Sequence, residues 1–165
     1  MASLCLLVLL AVALPCSAQR RLIGTLPNIQ HGISGTLYAE GDRTFVIEGF
    51  SYDGQGPDAF IYVYEKGVTV SRHGGGLIVR LPGTDDGNFV FGRSYSNERL
   101  TVSLDSCTEC RAGLTIRDLQ TFTIWCRRFS VFFTTLNIPA DLFNVSEIHM
   151  MSHGVTGCHM SQVMQ

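Results

Sequence analysis

Thirteen consecutive residues, Thr121 to Phe133, constrain this chain more than any other stretch. Phe122, Ile124 and Cys126 fall on one face, and Thr121, Thr123 and Trp125 on the other. A period of two is the mark of a half-buried β-strand, because successive side chains point to opposite faces of the sheet. Beyond Arg127-Arg128 the apolar set moves to Phe129, Val131 and Phe133, the opposite parity. A one-residue change of parity predicts a bulge or a break, and bulges re-aim side chains beside functional sites. Cys126 is the last residue of the inward set before that change.

The rest of the chain repeats the strand pattern in short pieces. Strands are expected at Leu22 to Asn28, Thr36 to Ala39, Thr44 to Phe50 and Ala59 to Glu65. Further short ones follow at Val68 to Val70, Leu77 to Leu81, Asn88 to Phe91, Leu100 to Leu104 and Leu114 to Ile116, with Leu136 to Pro139 closing the pattern. Glu40-Gly41-Asp42-Arg43 lies between two of these runs and predicts a hairpin. Strands of this length at short, regular spacing predict an all-β fold, an antiparallel sandwich or barrel-like single domain. Seventeen glycines, ten phenylalanines and 16% charged residues agree with it. No run before residue 140 has the length and period of an amphipathic helix.

The two ends read differently. Leu4 to Leu14 is an apolar run too short to span a bilayer, and Pro15-Cys16-Ser17-Ala18 follows it with small residues where signal peptidase needs them. Residues 1–18 are therefore expected to be a cleaved signal peptide, leaving 165 − 18 = 147 residues, the size of one domain. No later run is long and apolar enough to span a membrane, so a released, extracellular protein is expected. A net charge of −2 argues against nucleic acid as a partner. The β domain is expected over residues 22–139. Residues 140–165 are expected to form a poorly ordered C-terminal tail, with one helical turn near Ala140 to Phe143, because they lack a periodic apolar face with which to dock.

Loss of Cys5 and Cys16 with the signal leaves Cys107, Cys110, Cys126 and Cys158, four disulfide candidates with three complete pairings. Cys107 and Cys110 form a Cys-x-x-Cys pair, but between strands rather than opening a helix, and with Asp105 and Glu109 close by, so a structural bridge is expected. Cys126 reads as a buried apolar residue or a disulfide half. The competing reading is a redox thiol, for which a guanidinium would have to fold back over the sulfur, and Arg128 shares its face.

In the tail, His149, His153, Cys158 and His159 are weak metal candidates amid methionines, a set that suits copper more than calcium. Asp53, Asp58, Asp85 and Asp86 are turn chemistry first and a weak calcium or mineral contact second. Asn144-Val-Ser146 is an N-glycosylation acceptor. No nucleophile elbow, zinc-protease helix or phosphate loop is present, so the reading favours a non-enzymatic protein.

Several ordered pieces together resemble the DM-thirteen domain family, the small secreted domain of Skeletor-type proteins, often found beside a DOMON domain. They are Gly24-Thr-Leu, His31-Gly-Ile-Ser-Gly35, Arg43-Thr-Phe-Val-Ile47, Phe50-Ser-Tyr-Asp-Gly-Gln-Gly-Pro-Asp-Ala-Phe60, Thr115-Ile-Arg-Asp-Leu119 and Ile124-Trp-Cys-Arg-Arg-Phe129. The resemblance implies a redox role for Cys126, as a bare thiol or as the ligand of a prosthetic group such as haem. No cofactor is expected from the residues themselves; haem enters by resemblance alone. Three features depart from the family pattern: no DOMON segment is expected in this sequence, Cys107 and Cys110 are added, and a Cys/His/Met tail follows.

The reading is thus a secreted extracellular binding or matrix protein built on one domain, with extracellular matrix or cell-surface proteins as partners. The alternatives are an extracellular redox or electron-transfer domain using Cys126, and a component of a calcified or chitinous matrix.

Overall fold

The computed structural model describes residues 19–80 and 91–144. Eight strands run β1 Arg20–Thr25, β2 Ser34–Glu40, β3 Thr44–Tyr52, β4 Ala59–Glu65, β5 Leu77–Val79, β6 Tyr95–Ser103, β7 Leu119–Cys126 and β8 Val131–Asn137. They form two four-stranded sheets in the orders β1-β2-β3-β6 and β5-β4-β7-β8, with every pairing antiparallel. The fold is all-β, as the alternating runs predict. Residues 1–18, expected to be a signal peptide, residues 81–90 and the chain beyond Asn144 lie outside the described residues.

The core lies between the sheets. Leu37, Ala39, Phe45, Ile47 and Val102 meet Ile61, Val63, Phe122 and Ile124, and Phe45 and Phe122 approach to 5.2 Å between ring centroids. Burying these side chains removes apolar area from water at roughly 25 cal/mol per Å².

The organising stretch is two strands, not one strand with a bulge. Arg127 to Ser130 is a four-residue turn that reverses the chain, and Ser130 takes the left-handed conformation at φ 52°. The change of parity marks that reversal, so Phe129 sits on the turn and is 63% exposed rather than inward. A bulge does exist, but in β8: the β7–β8 register shifts between Ile124 and Trp125, leaving Phe133 as the extra residue.

The half-buried reading of β7 is also corrected. Thr121, Thr123 and Trp125 are as buried as the core face. β7 lies inside its sheet, and its outer face is roofed by the loop from Lys66 to Gly76. The Trp125 indole N–H donates to the Arg72 carbonyl at 3.1 Å, and the Tyr64 hydroxyl donates to the Ser71 carbonyl at 2.7 Å. Gly76 closes the roof, since a Cβ there would meet Tyr62 Cδ1 at 2.6 Å. This roof is why Val68 to Val70 is not a strand: the segment crosses the sheet instead of pairing with it, and both valines stay 38% exposed.

Other expectations shift for local reasons. Leu114 to Ile116 leads into a short 3₁₀ turn, Ile116–Asp118, where the Asp118 carboxylate accepts from Thr115 N–H at 2.9 Å and Thr115 Oγ1 at 3.0 Å. Asn88 to Phe91 lies almost wholly outside the described residues, and Phe91 itself is in a turn. Ala140 to Phe143 is a turn rather than a helical one, and it docks: Phe143 is 8% exposed, held beneath Arg117 and Arg21. One aromatic ring sufficed where no periodic face was present.

Thr134 Oγ1 is the buried side-chain oxygen without a hydrogen-bond partner among the described residues. Leaving such a hydroxyl unpaired is costly, so Thr134→Val, which keeps the shape, should stabilise the fold by about 1 kcal/mol. Chemical denaturation of both proteins measures this; a destabilised variant would mean the hydroxyl is satisfied.

Candidate functional site

Cys126 ends β7, paired across the sheet with Ala59 of β4 and Val131 of β8, and is wholly buried. Its inward companions are Phe122 and Ile124, as the alternation predicts. The residue just beyond it ties the two strands: Arg127 N–H donates to the Asp58 carbonyl at 3.0 Å, and its guanidinium grips the Asp58 carboxylate at 2.9 and 3.1 Å while lying over the Phe60 ring. This bidentate fork raises the pKa of Arg127 further. Arg128 lies over the Phe129 ring, 6.0 Å from its centroid. The structure therefore places both guanidiniums on other partners, not over the thiol.

The loop from Asp53 to Asp58 carries the chain from one sheet to the other, and its residue types follow from that crossing. Tyr52 points its hydroxyl back into the loop, where it accepts from Gly56 N–H at 2.7 Å. Gly56 has no alternative, because a Cβ would lie 2.4 Å from both Tyr52 Oη and Phe133 Cε2. Asp53 accepts from Gln55 N–H at 2.8 Å, a local turn bond of the kind Asp favours. The same carboxylate meets His31 Nδ1 with both oxygens at 3.1 Å.

His31 sits in the left-handed region at φ 60°, a costly conformation for a residue with a Cβ. Its ring lies 4.2 Å from that of Phe133, and His31 O accepts from Asp53 N–H at 3.1 Å. These contacts supply what holds it there. Rings then run on in contact from Phe133 to Tyr52 to Phe91, and from Phe91 to Phe50 and Tyr95. The Tyr52 phenol is pushed above its ordinary pKa, first by burial, against the opposing Gly56 hydrogen bond, with Asp53 and Cys126 adding to the rise.

The corner between the sheets thus assembles His31, Tyr52, Asp53, Gly56, Phe133 and Cys126. The sequence reading singled out Cys126 and Asp53 but missed His31, Tyr52, Gly56 and Phe133 as members. The His31-Gly32 turn was legible, but the left-handed backbone that places the His31 ring appears only in the fold. Phe133 carried no signal, because its position depends on the bulge.

Of the other candidates, Cys107 and Cys110 are joined in a disulfide. Among the described residues Cys126 is the free cysteine. Asn144 is exposed. Cys158, His149, His153, His159, Asp85 and Asp86 lie outside the described residues. No group of three or more His, Cys, Asp or Glu among the described residues is placed to hold a metal.

A haem held by Cys126 would require the macrocycle to reach the sulfur. With 0% of Cys126 exposed and a paired strand on each side, the residues present do not fit such a group.

The two segments that meet here, Phe50 to Phe60 and Ile124 to Phe129, lie within a match over residues 25–138 to the family model described as "Electron transfer DM13". The chain belongs to the DM13 family. It is 38% identical over 120 residues to Protein Skeletor, isoforms B/C, and to Protein Skeletor, isoforms D/E, both of Drosophila melanogaster. That alignment covers 73% of this chain but only 14% and 7% of those two proteins, so the chain spans a small part of the relatives it matches. No solved structure matches it.

Two outcomes are expected of this DM13 corner. Gly56→Ala should cost about 1–3 kcal/mol through overpacking against Phe133. Cys126→Ser should cost about 1–3 kcal/mol and Cys126→Ala less, since only the serine places an unpaired hydroxyl in the core. Urea titrations check both; a neutral Gly56→Ala would show the corner to be loose.

Tyr52, Tyr62, Tyr64 and Tyr95 all have phenols raised chiefly by burial. The unfolded chain would ionise first, near pH ~10, so their contribution is fully present below that and is lost as pH rises through the folded values. Phenolate absorbance of the native protein should therefore lag behind that of the urea-unfolded chain; coincident titrations would contradict the burial.

Proposed function

We propose that this DM13 chain is a secreted, extracellular protein that works by binding, as a component of a matrix or cell-surface assembly, with Cys126 serving the core rather than a reaction. The observation that carries this reading is the complete burial of Cys126 in a ladder position between Ala59 and Val131. Reactive cysteines sit in partly exposed, electropositive surroundings, whereas a buried one behaves as a small apolar residue. Secretion is supported by the Leu4 to Leu14 run and by the Cys107–Cys110 disulfide, a bond that persists in oxidising compartments. The exposed Asn144, first residue of Asn-Val-Ser, supports an attached glycan. A calcified matrix draws less support, because Asp53 and Asp58 are engaged by His31 and Arg127.

A second reading has its own observation. The matching family model is described as electron transfer, and the oxidisable Tyr52 stands in a run of contacting rings that begins at Phe133, two residues from the Val131 that pairs with Cys126. In that reading the side chains themselves relay electrons through the contiguous rings, since no prosthetic group fits at the thiol.

One experiment separates the two. The protein is collected from the medium of secreting cells, its visible spectrum is recorded, and Cys126 is challenged with a thiol reagent before and after unfolding. The binding reading expects a featureless visible spectrum and labelling only on unfolding. Rapid native labelling, or a reversible redox signal abolished by Cys126→Ala, would overturn it in favour of electron transfer.

A further inference from the structure

The far end of β7, about 20 Å from Cys126 at strand rise, carries an open concavity of about 140 Å³. Its floor includes Ile116 and Leu119, and its rim Lys66, Arg117, Phe143 and Asn144. We propose that this concavity is an anion site that takes a sulfate group of an extracellular sulfated sugar chain.

The charges on the rim point to it. Arg20, Arg43, Arg93, Arg99, Arg111 and Arg127 all meet carboxylates within the protein. Arg72, Arg80 and Arg128 meet no carboxylate among the described residues either, but Lys66 and Arg117 are the two such cations exposed together at one hollow. The acids nearest in sequence are already engaged: Glu65 and Asp118 both meet Arg111 at 3.2 Å, and Asp118 also holds Thr115. Asp141, on the turn leading to Phe143, is the remaining acid of that rim segment.

The two cations are also positioned. Lys66 N–H donates to the Asp118 carbonyl at 2.8 Å, which fixes its backbone beside the 3₁₀ turn. The Arg117 guanidinium lies over the Phe143 ring, 4.3 Å from its centroid, and Arg21 lies over the same ring at 5.1 Å. The Arg21 guanidinium donates to Gln19 Oε1 at 2.9 Å and meets no carboxylate among the described residues. Stacking on an aromatic face restrains a guanidinium while leaving N–H donors on its edge for an oxyanion. Phe143 thus gathers cations at a polar hollow, a use for this ring beyond packing. With a net charge of −2 the whole molecule does not attract polyanions, so recognition has to be local.

The sugar as source of the sulfate rests on the extracellular reading above; the anion site itself does not. The test titrates the full chain, collected from secreting cells, with a heparin-derived tetrasaccharide, its desulfated counterpart and inorganic sulfate, by calorimetry at low salt. Binding of the sulfated sugar and not the desulfated one is expected, and Lys66→Glu or Arg117→Gln should each weaken it by about tenfold, the value of one charged hydrogen bond. Lys66→Glu changes an exposed side chain with no packing role, so it separates loss of the site from loss of the fold. Arg20→Gln, on a different face, should leave binding unchanged. Equal binding by wild type and both rim variants, or by the desulfated sugar, would overturn the site. Inorganic sulfate held by the wild type and lost in the variants, with no binding of the sulfated tetrasaccharide, would overturn the glycan assignment while retaining the anion site. Recovery of the protein from medium or from cell lysate reports on secretion independently of either result.

Discussion

The structure depends on the joint between β4 and β7, where Ala59 lies opposite Cys126 and Asp58 grips Arg127. Two small side chains meet at the end of the ladder, where the loop from the other sheet arrives. Half of the ion pair is well shielded, since the Asp58 side chain is only 14% exposed. The Arg127 stem and guanidinium also cover Phe60. An exposed ion pair alone contributes little. A bidentate one that also fixes a crossover between sheets decides where the loop, and everything on it, can sit.

That joint explains why the Tyr-Asp-Gly-x-Gly-Pro-Asp-Ala block has its composition. Tyr52 supplies an acceptor to Gly56, Asp53 anchors the His31 ring, and Gly56 leaves room for Phe133. The Tyr52 hydroxyl and the Asp53 and Asp58 carboxylates, the groups of the block best suited to a ligand, already have partners within the protein. The same logic bears on function: Cys126 is held in the middle of a packed joint, away from solvent. Three cations that meet no carboxylate among the described residues, Arg21, Lys66 and Arg117, lie at the other end of β7, beside Phe143.

The second sheet is unusual for a sandwich in being covered on both faces. A strand of alternating Phe and Thr would ordinarily turn its threonines to water. Here the Lys66 to Gly76 loop roofs them, fastened through Trp125 and Tyr64. The cost falls on hydroxyls taken out of water. Thr123 meets it by donating to the Thr134 carbonyl at 2.5 Å, while the Thr134 hydroxyl goes without a partner.

Local periodicity alone determined a good deal. The span of β4 from Ala59 to Glu65, the β2–β3 hairpin about Gly41-Asp42-Arg43 and the inward face of Phe122, Ile124 and Cys126 were all legible, because side-chain alternation is a property of neighbouring residues. The family was legible too, through short motifs in fixed order. Tertiary structure decided the rest. The parity change after Cys126 is equally compatible with a bulge and a reversal, and only the pairing of β8 back onto β7 makes it a turn. Whether Thr121 and Thr123 face water depends on a loop fifty residues earlier in the chain. Phe143 needed Arg117 and Arg21 to give it a place, and His31 needed Phe133. Contacts of that kind join residues far apart in sequence, and no local pattern records them.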